Sequence, residues 1–417
     1  MAACRLWRGT MSTLEQTTRA CGMRGINPRT MILGALFALM AFLSLRVFVL
    51  LTKVEPNGFD YCGFWAGARV AMQHPVRLYD FAYVTARQTW LIGPVAMHPF
   101  VYPPSSLPFF APFAALPYWP AYGLWVALTA ALFLVASLRI GAKWWVLLLP
   151  PVACVAQDGQ ITFLIAALIA GGLSLRSRPM LAGMAFGLAG AIKPQLLVLL
   201  PLALVADRQW RTIGVAGATA GLIAAVATAI WGPGLWADWL RAMARFQRAT
   251  FAMPSVVRAM ITPYAALDLA GLRGAWAFPL IPPVLLAVWS TFRRTADVPT
   301  RMLALIGGTL LIIPYAINYE LALLAPALAA LAMRTQDRRW PAYAAAVLLY
   351  AAAVPVLGMG YIYCQSALVL LLALLGWARW PSLRTRPDAW APIARPRIPT
   401  RVAAEVRRQE QHTANFT

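Results

Sequence analysis

The sequence predicts an all-α membrane protein with about twelve membrane segments, and three observations carry that reading. First, 61% of the residues are hydrophobic and only 12% are charged, whereas soluble domains carry roughly a quarter charged residues. Second, the mean hydropathy is +0.65, and the apolar residues come in helix-length runs separated by short polar turns. Third, Lys and Arg punctuate alternate turns and collect in two tails instead of forming one patch. The formal net charge of +22 therefore reports orientation across a bilayer, and no nucleic-acid partner is expected.

Taken in order, residues 1–30 hold Arg5, Arg8, Arg19, Arg24 and Arg29 against one acid, Glu15. Such a basic flank keeps the N-terminus cytoplasmic. About thirty polar residues precede the first apolar run, so no cleavable signal peptide is expected. The membrane domain spans 31–378. Segment one is 31–51, with Arg46 near its end and able to snorkel. The first outer loop, 53–119, carries two amphipathic stretches, 61–73 and 81–91, whose aromatics suit helices lying on the membrane surface. Segments two to seven are 118–138, 144–156, 161–175, 180–192, 193–206 and 212–230. The second outer loop, 231–274, contains Trp236, Trp239, Arg241, Arg245 and Arg248, a pattern that suits contact with lipid headgroups. Segments eight to twelve are 275–292, 301–313, 321–333, 341–356 and 366–378. Residues 379–417 are basic, proline-rich and without apolar periodicity, and they read as a disordered cytoplasmic tail.

With the N-terminus inside, most of the 36 Lys and Arg fall on the cytoplasmic side, and both termini are cytoplasmic. The outer turns Gln157-Asp158-Gly159-Gln160 and 314–320 contain neither. The five cysteines (Cys4, Cys21, Cys62, Cys154, Cys364) form no CxxC or CxxH pattern, so no metal or redox site is expected and Cys62 should be unpaired.

This topology gathers the unusual residues on one side. Asp60, Tyr102, Gln157, Asp158, Gln160, Lys193, Gln195, Asn318, Tyr319 and Glu320 fall at outer segment ends, and Arg69 and Arg258 lie in outer loops. Charge in hydrocarbon costs a few kcal/mol per group, so carboxylates, a lysine and amides at one depth indicate a polar site met at the membrane surface. Each residue also has a plain structural role open to it. Asp60 suits a helix N-cap, Lys193 suits snorkelling at a helix break, and Asp158 suits the Asp-Gly turn. Glu320 suits an interfacial ion pair, and Tyr102-Pro103-Pro104 suits a rigid turn. No glycine-rich phosphate loop, HExxH or GxSxG is present. Three function classes remain: a membrane enzyme; a secondary transporter or flippase, since broken segments build transporter substrate sites near the bilayer midplane; and a scaffold without chemistry.

The ordered motifs resemble glycosyltransferase family 87. They are Asp60-Tyr61 followed by Phe64-Trp65-Ala66-Gly67-Ala68-Arg69, then Leu78-Tyr79-Asp80, Val101-Tyr102-Pro103-Pro104, Gly159-Gln160-Ile161-Thr162, Ile192-Lys193-Pro194-Gln195, and Pro314-Tyr315 with Tyr319-Glu320-Leu321. The resemblance covers about 31–377. It implies a GT-C-like architecture in a plasma (bacterial inner) membrane, with a polyprenyl-phosphate sugar as donor and a lipid-linked or glycan acceptor. It also implies that Asp60 is the essential acid. Glu320 stands where many relatives have Asp or His, and Asp158 where Asn is frequent, which bears on the choice of acceptor. Inverting transfer needs one carboxylate to take the acceptor's proton, which falls to Asp60. It also needs cations at the leaving phosphate, here Lys193 with Arg69 and Arg258. Tyr102, Gln157, Asp158, Gln160, Gln195, Asn318, Tyr319 and Glu320 are then the substrate-binding candidates. No cofactor is required; a divalent metal is compatible with this chemistry, but nothing in the sequence demands one.

Overall fold

The structure is a computed structural model that describes residues 57–93 and 98–334, Tyr350, and isolated helical positions between Gly34 and Val49. The chain divides into units 1–378 and 379–417, and every described residue belongs to the first. The expected basic N-terminal segment, segment eleven apart from Tyr350, segment twelve and the tail lie outside the described residues.

Among the described residues every named element is helical, with one isolated antiparallel bridge between Met260 and Ile317. The first loop folds into α1 (Phe59–Gln73), α2 (Phe81–Ile92) and α3 (Leu107–Ala114). Helix α1 differs from the expected surface helix, for Tyr61–Ala68, Val70 and Ala71 are all buried. The physical reason lies in its composition: Gly63, Ala66, Gly67, Ala68 and Ala71 admit close neighbours, while Tyr61, Phe64 and Trp65 fill the space around them. A helix apolar on nearly every side belongs inside. Helix α2 keeps the expected surface character, burying only Val84 and Gln88 and leaving Trp90 88% exposed.

The chain continues with α4 (Tyr118–Arg139), α5 (Pro150–Asp158), α6 (Thr162–Ser174), α7 (Pro179–Ile192), α8 (Leu200–Ala206) and α9 (Trp210–Trp231). The second loop contributes α10 (Gly234–Phe251), α11 (Pro254–Ala259) and α12 (Pro263–Leu269), after which come α13 (Ile281–Arg294), α14 (Val298–Ile312) and α15 (Ala325–Ala332). Several expected segments divide into a 3₁₀ turn and a short α-helix. Segment three is Trp144–Leu148 followed by α5, segment six is Pro194–Leu197 followed by α8, and segment ten is Asn318–Leu324 followed by α15. Proline marks each break. Pro150, Pro201 and Pro326 stand in the first turns of their α-helices, where a missing N–H does no harm. Leu149 before Pro150 is extended at φ −76° and ψ 132°, whereas Leu200 and Ala325 stay helical.

Among the described residues, three stretches are long and apolar enough to cross a membrane: Tyr118–Arg139, Trp210–Trp231 and Gly274–Arg294. Their outward faces are apolar as well. Leu124, Leu128 and Leu132 on α4, and Leu222, Val226 and Ile230 on α9, recur at four-residue spacing and are all exposed. Water would penalise such stripes, whereas lipid accepts them. At the centre, α14 buries every residue from Pro299 to Leu311.

Helices α7 and α9 pack closely because Gly183 and Gly187 lie one turn apart. A Cβ at Gly183 would meet Val215 Cβ at 2.6 Å, and one at Gly187 would meet the Ala216 carbonyl oxygen at 2.6 Å. Small residues at this spacing let two backbones approach without an aqueous driving force.

Candidate active site

The start of α1 is pinned to the end of α5. Gly58 N donates to Gln157 O at 2.7 Å, and Tyr118 Oη donates to Gly58 O at 2.8 Å. Gly58, not Asp60, occupies the N-cap, with no side-chain cap, so the sequence-based capping role for Asp60 is not the one taken. One position into the helix, the Asp60 carboxylate turns sideways to two partners. Oδ1 lies 2.9 Å from His98 Nε2, and Oδ2 accepts from Gln160 Nε2 at 2.5 Å. Gln160 reaches it because Gly159 ends α5 in the left-handed region at φ 67°, where its missing side chain also spares a 2.6 Å contact with Tyr61 Cβ.

His98 is held in turn by Gln88, which is fully buried: Nδ1 lies 3.0 Å from Gln88 Oε1, and Gln88 Nε2 donates to His98 O at 2.7 Å. Phe59 stacks on the His98 ring at 4.5 Å. Neither His98 nor Gln88 is among the residues that the sequence indicates. One signal was available, because Gln88 stands four residues after Val84 on the inward stripe of α2, where a polar side chain needs a partner.

A second charged pair joins Lys193, at the break after α7, to Glu320, in the turn before α15. Lys193 Nζ donates to Glu320 Oε1, and the two residues are 5% and 2% exposed. The ammonium lies 5.6 Å from the centre of the Tyr102 ring and 5.4 Å from that of Tyr319, within cation–π range. Glu320 Oε2 is buried without a hydrogen-bond partner. The two charged pairs share one electrostatic neighbourhood, since the Tyr102 phenol feels the charges of Lys193, Glu320 and Asp60 together. Burial pushes that phenol up to about 12, against the pull of Lys193.

The other expected residues are distributed unevenly around this centre. Gln157 and Asp158 are buried at the end of α5, beside Gly58. Asn318 and Tyr319 open the turn that carries Glu320. Gln195 is exposed, two residues past Lys193. Arg69 is committed elsewhere: its Nε donates to Ala114 O at 2.9 Å and its guanidinium lies 4.4 Å from the Trp65 ring centre. It stands about 13 Å along α1 from Asp60, at 1.5 Å per residue. Arg258 is exposed on α11 and donates to Pro254 O. Neither arginine is bonded to the Lys193–Glu320 pair, although Met260, two residues after Arg258, bridges to Ile317, three before Glu320.

Cys62 and Cys154 are free and buried. Burial pushes the Cys62 thiol up to about 12, so it stays a thiol at neutral pH. A cavity of about 700 Å³ opens between Tyr79-Asp80 and Asp238, Arg241, Arg245 and Arg248 of α10, and it includes none of Asp60, Lys193 or Glu320. Arg245 donates to Tyr79 O and Trp239 Nε1 to Val101 O, so α10 braces the segment that carries Tyr102.

Comparison with curated proteins and with solved structures found no match. Among family models, that of glycosyltransferase family 87 matches residues 100–314. The matched stretch contains Tyr102, Gln157 to Gln160 and Lys193, while Asp60, His98 and Glu320 flank it. Covering just over half of the chain, that match makes this protein a member of glycosyltransferase family 87.

Proposed function

We propose that this glycosyltransferase is an inverting enzyme of the GT-C type. In this reading it moves a hexose such as mannose from a polyprenyl-phosphate donor to an envelope glycolipid or glycan at the outer face of a bacterial inner membrane. The scaffold has about twelve membrane segments with both termini cytoplasmic. The observation that carries the reading is the Asp60 carboxylate, held by two side chains and 16% exposed, in the same electrostatic neighbourhood as a buried lysine.

The chemistry uses those groups in turn. The acceptor hydroxyl gives its proton to Asp60 as its oxygen bonds to the anomeric carbon. The bond from that carbon to the phosphate oxygen breaks, and the polyprenyl phosphate leaves with the electron pair. Lys193 stabilises the leaving oxygen charge and must loosen from Glu320 to do so. The unpartnered Glu320 Oε2, with Gln157, Asp158, Gln160, Tyr102, Asn318 and Tyr319 nearby, supplies hydrogen-bonding groups for sugar hydroxyls. Gln195 stands at the rim. Arg69 and Arg258 would reach the phosphate only after leaving their present partners.

The test uses the full-length protein in nanodiscs, polyprenyl-phosphate mannose carrying a radiolabel, and a membrane lipid extract as acceptor source. Asp60→Asn should lower transfer by about a hundredfold or more and leave donor binding unchanged. Near-normal turnover by that variant removes Asp60 from the reaction.

A further inference from the structure

Resting on the reading of Asp60 as the base, we propose that Asp60 and His98 act as one proton acceptor, with Gln88 holding the histidine so that only Nε2 meets the carboxylate.

The argument begins at Gln88. Its Nε2 donates to the His98 carbonyl at 2.7 Å, and turning the amide over would set two carbonyl oxygens against each other. Gln88 Oε1 therefore faces Nδ1, 3.0 Å away, and an acceptor in that place requires Nδ1 to carry the hydrogen. Nε2 is left as the nitrogen that gains or loses a proton. It lies 2.9 Å from Asp60 Oδ1. At that distance a proton taken up by Asp60 can be shared with Nε2. The other contacts hold the pair still: Gln160 on Oδ2, Phe59 on the imidazole face, and His98 N on Thr85 Oγ1 at 3.2 Å.

Before transfer the pair is a carboxylate beside a neutral imidazole protonated at Nδ1. As the acceptor oxygen bonds to the anomeric carbon and the polyprenyl phosphate departs with its electron pair, the acceptor's proton passes to Asp60. It comes to rest between Oδ1 and Nε2. Asp60 and His98 are 16% and 20% exposed, so water can remove the proton before the next turnover. His98 is a positioning residue in this scheme, acting through Asp60.

Among the described residues, no second carboxylate–histidine pair is present. Tyr61 adjoins on α1 and packs against Tyr118 and Tyr122 of α4, the latter near Asp158. Tyr102, Tyr315 and Tyr319 feel the charge of Asp60. Lys193 and Glu320 lie behind them and neutralise each other. From α2 the facing groups are Gln88 and Thr85, both uncharged.

The experiment compares pH–rate profiles of the full-length protein in the nanodisc assay, with radiolabelled polyprenyl-phosphate mannose as probe. The pair accepts a proton only when it is free of one, so activity falls as pH falls. His98→Gln puts an amide nitrogen near Nε2 but cannot share a proton. The expected result is a drop in kcat of about tenfold with KM for the donor unchanged. The acid limb should move to lower pH, because the carboxylate then holds the proton alone. Gln88→Met should move the limb in the same direction by freeing Nδ1, and it decides the matter if His98→Gln does not fold. Acid limbs that stay at the wild-type pH in the folded variants overturn the proposal, even with lowered rates. An active Asp60→Asn sinks the base reading itself, whereas an inactive one combined with unmoved limbs removes only the shared proton.

Discussion

Lys193 and Glu320 form an ion pair almost sealed from solvent, an arrangement whose desolvation offsets much of its attraction. Stability alone is a weak reason to keep it, and a site that must expose one cation to a leaving phosphate is a better one. The energetics make a distinctive prediction. Lys193→Met leaves a buried carboxylate unpaired and Glu320→Leu leaves a buried ammonium unpaired, so each should destabilise the protein by about 3 kcal/mol. The double variant should be more stable than either single one, because neither charge is then stranded. Thermal unfolding in detergent checks this, and additive losses would show that the two charges do not depend on each other. Both residues were legible in the sequence as charges at segment ends. Their partnership was not, since it joins positions 127 apart, and no local pattern encodes a contact of that span. His98 was hidden for a related reason: a single histidine before a proline has no periodicity, and its meaning comes only from Asp60 and Gln88 folded around it.

The helices themselves were more legible than their contacts. The limits of α4, α6, α7 and α9 follow from apolar runs closed by Arg, Gly or Pro, and the expected segments match them within a few residues. Burial was harder to read. Helix α1 carries aromatics that also suit a membrane surface, and only the run of small residues between them marks it as an inside helix. The same small-residue logic yields a prediction for α7. Gly187→Val would drive a side chain into the Ala216 carbonyl and Thr219 Cβ, both 2.6 Å from the added Cβ, and should cost about 1–3 kcal/mol by forcing α7 from α9. Gly190→Ala on the same helix meets no atom within 4 Å and should be neutral or slightly stabilising, by about 1 kcal/mol at most. Equal unfolding temperatures for the two variants would mean that the close approach of α7 and α9 is not what the glycines serve.

For the molecule as a whole, one acid ties together the charged turns that follow α6 and α8. Asp207, just after α8, accepts from Arg176 of the α6–α7 turn at 2.6 and 2.9 Å, and from Arg301 of α14 at 2.9 and 2.8 Å. Arg301 is 4% exposed and donates also to Phe292 O at 2.9 Å, which brings in α13. Three widely separated parts of the sequence thus meet at one carboxylate. The sequence marks these residues only as cytoplasmic charges that orient segments, because orientation depends on their sign and not on their partners. Burial raises the proton affinity of Asp207, but the hydrogen bonds from Arg176 and Arg301 outweigh it and hold the carboxyl below its ordinary value. A group depressed on folding stabilises the protein above its unfolded value, about 3.9 for aspartate, and that contribution fades as pH falls through the lower folded value. Asp207→Asn should therefore cost about 3 kcal/mol at neutral pH, where Arg301 loses its counter-charge. Its unfolding temperature should also fall less steeply than the wild type's below about pH 5. The gap between the two curves should narrow as the medium is acidified, since the wild type loses the same interaction by protonation. A gap of constant width from pH 7 to pH 4 would mean that the substitution acts through packing and that the ion triad does not clamp these helix ends together.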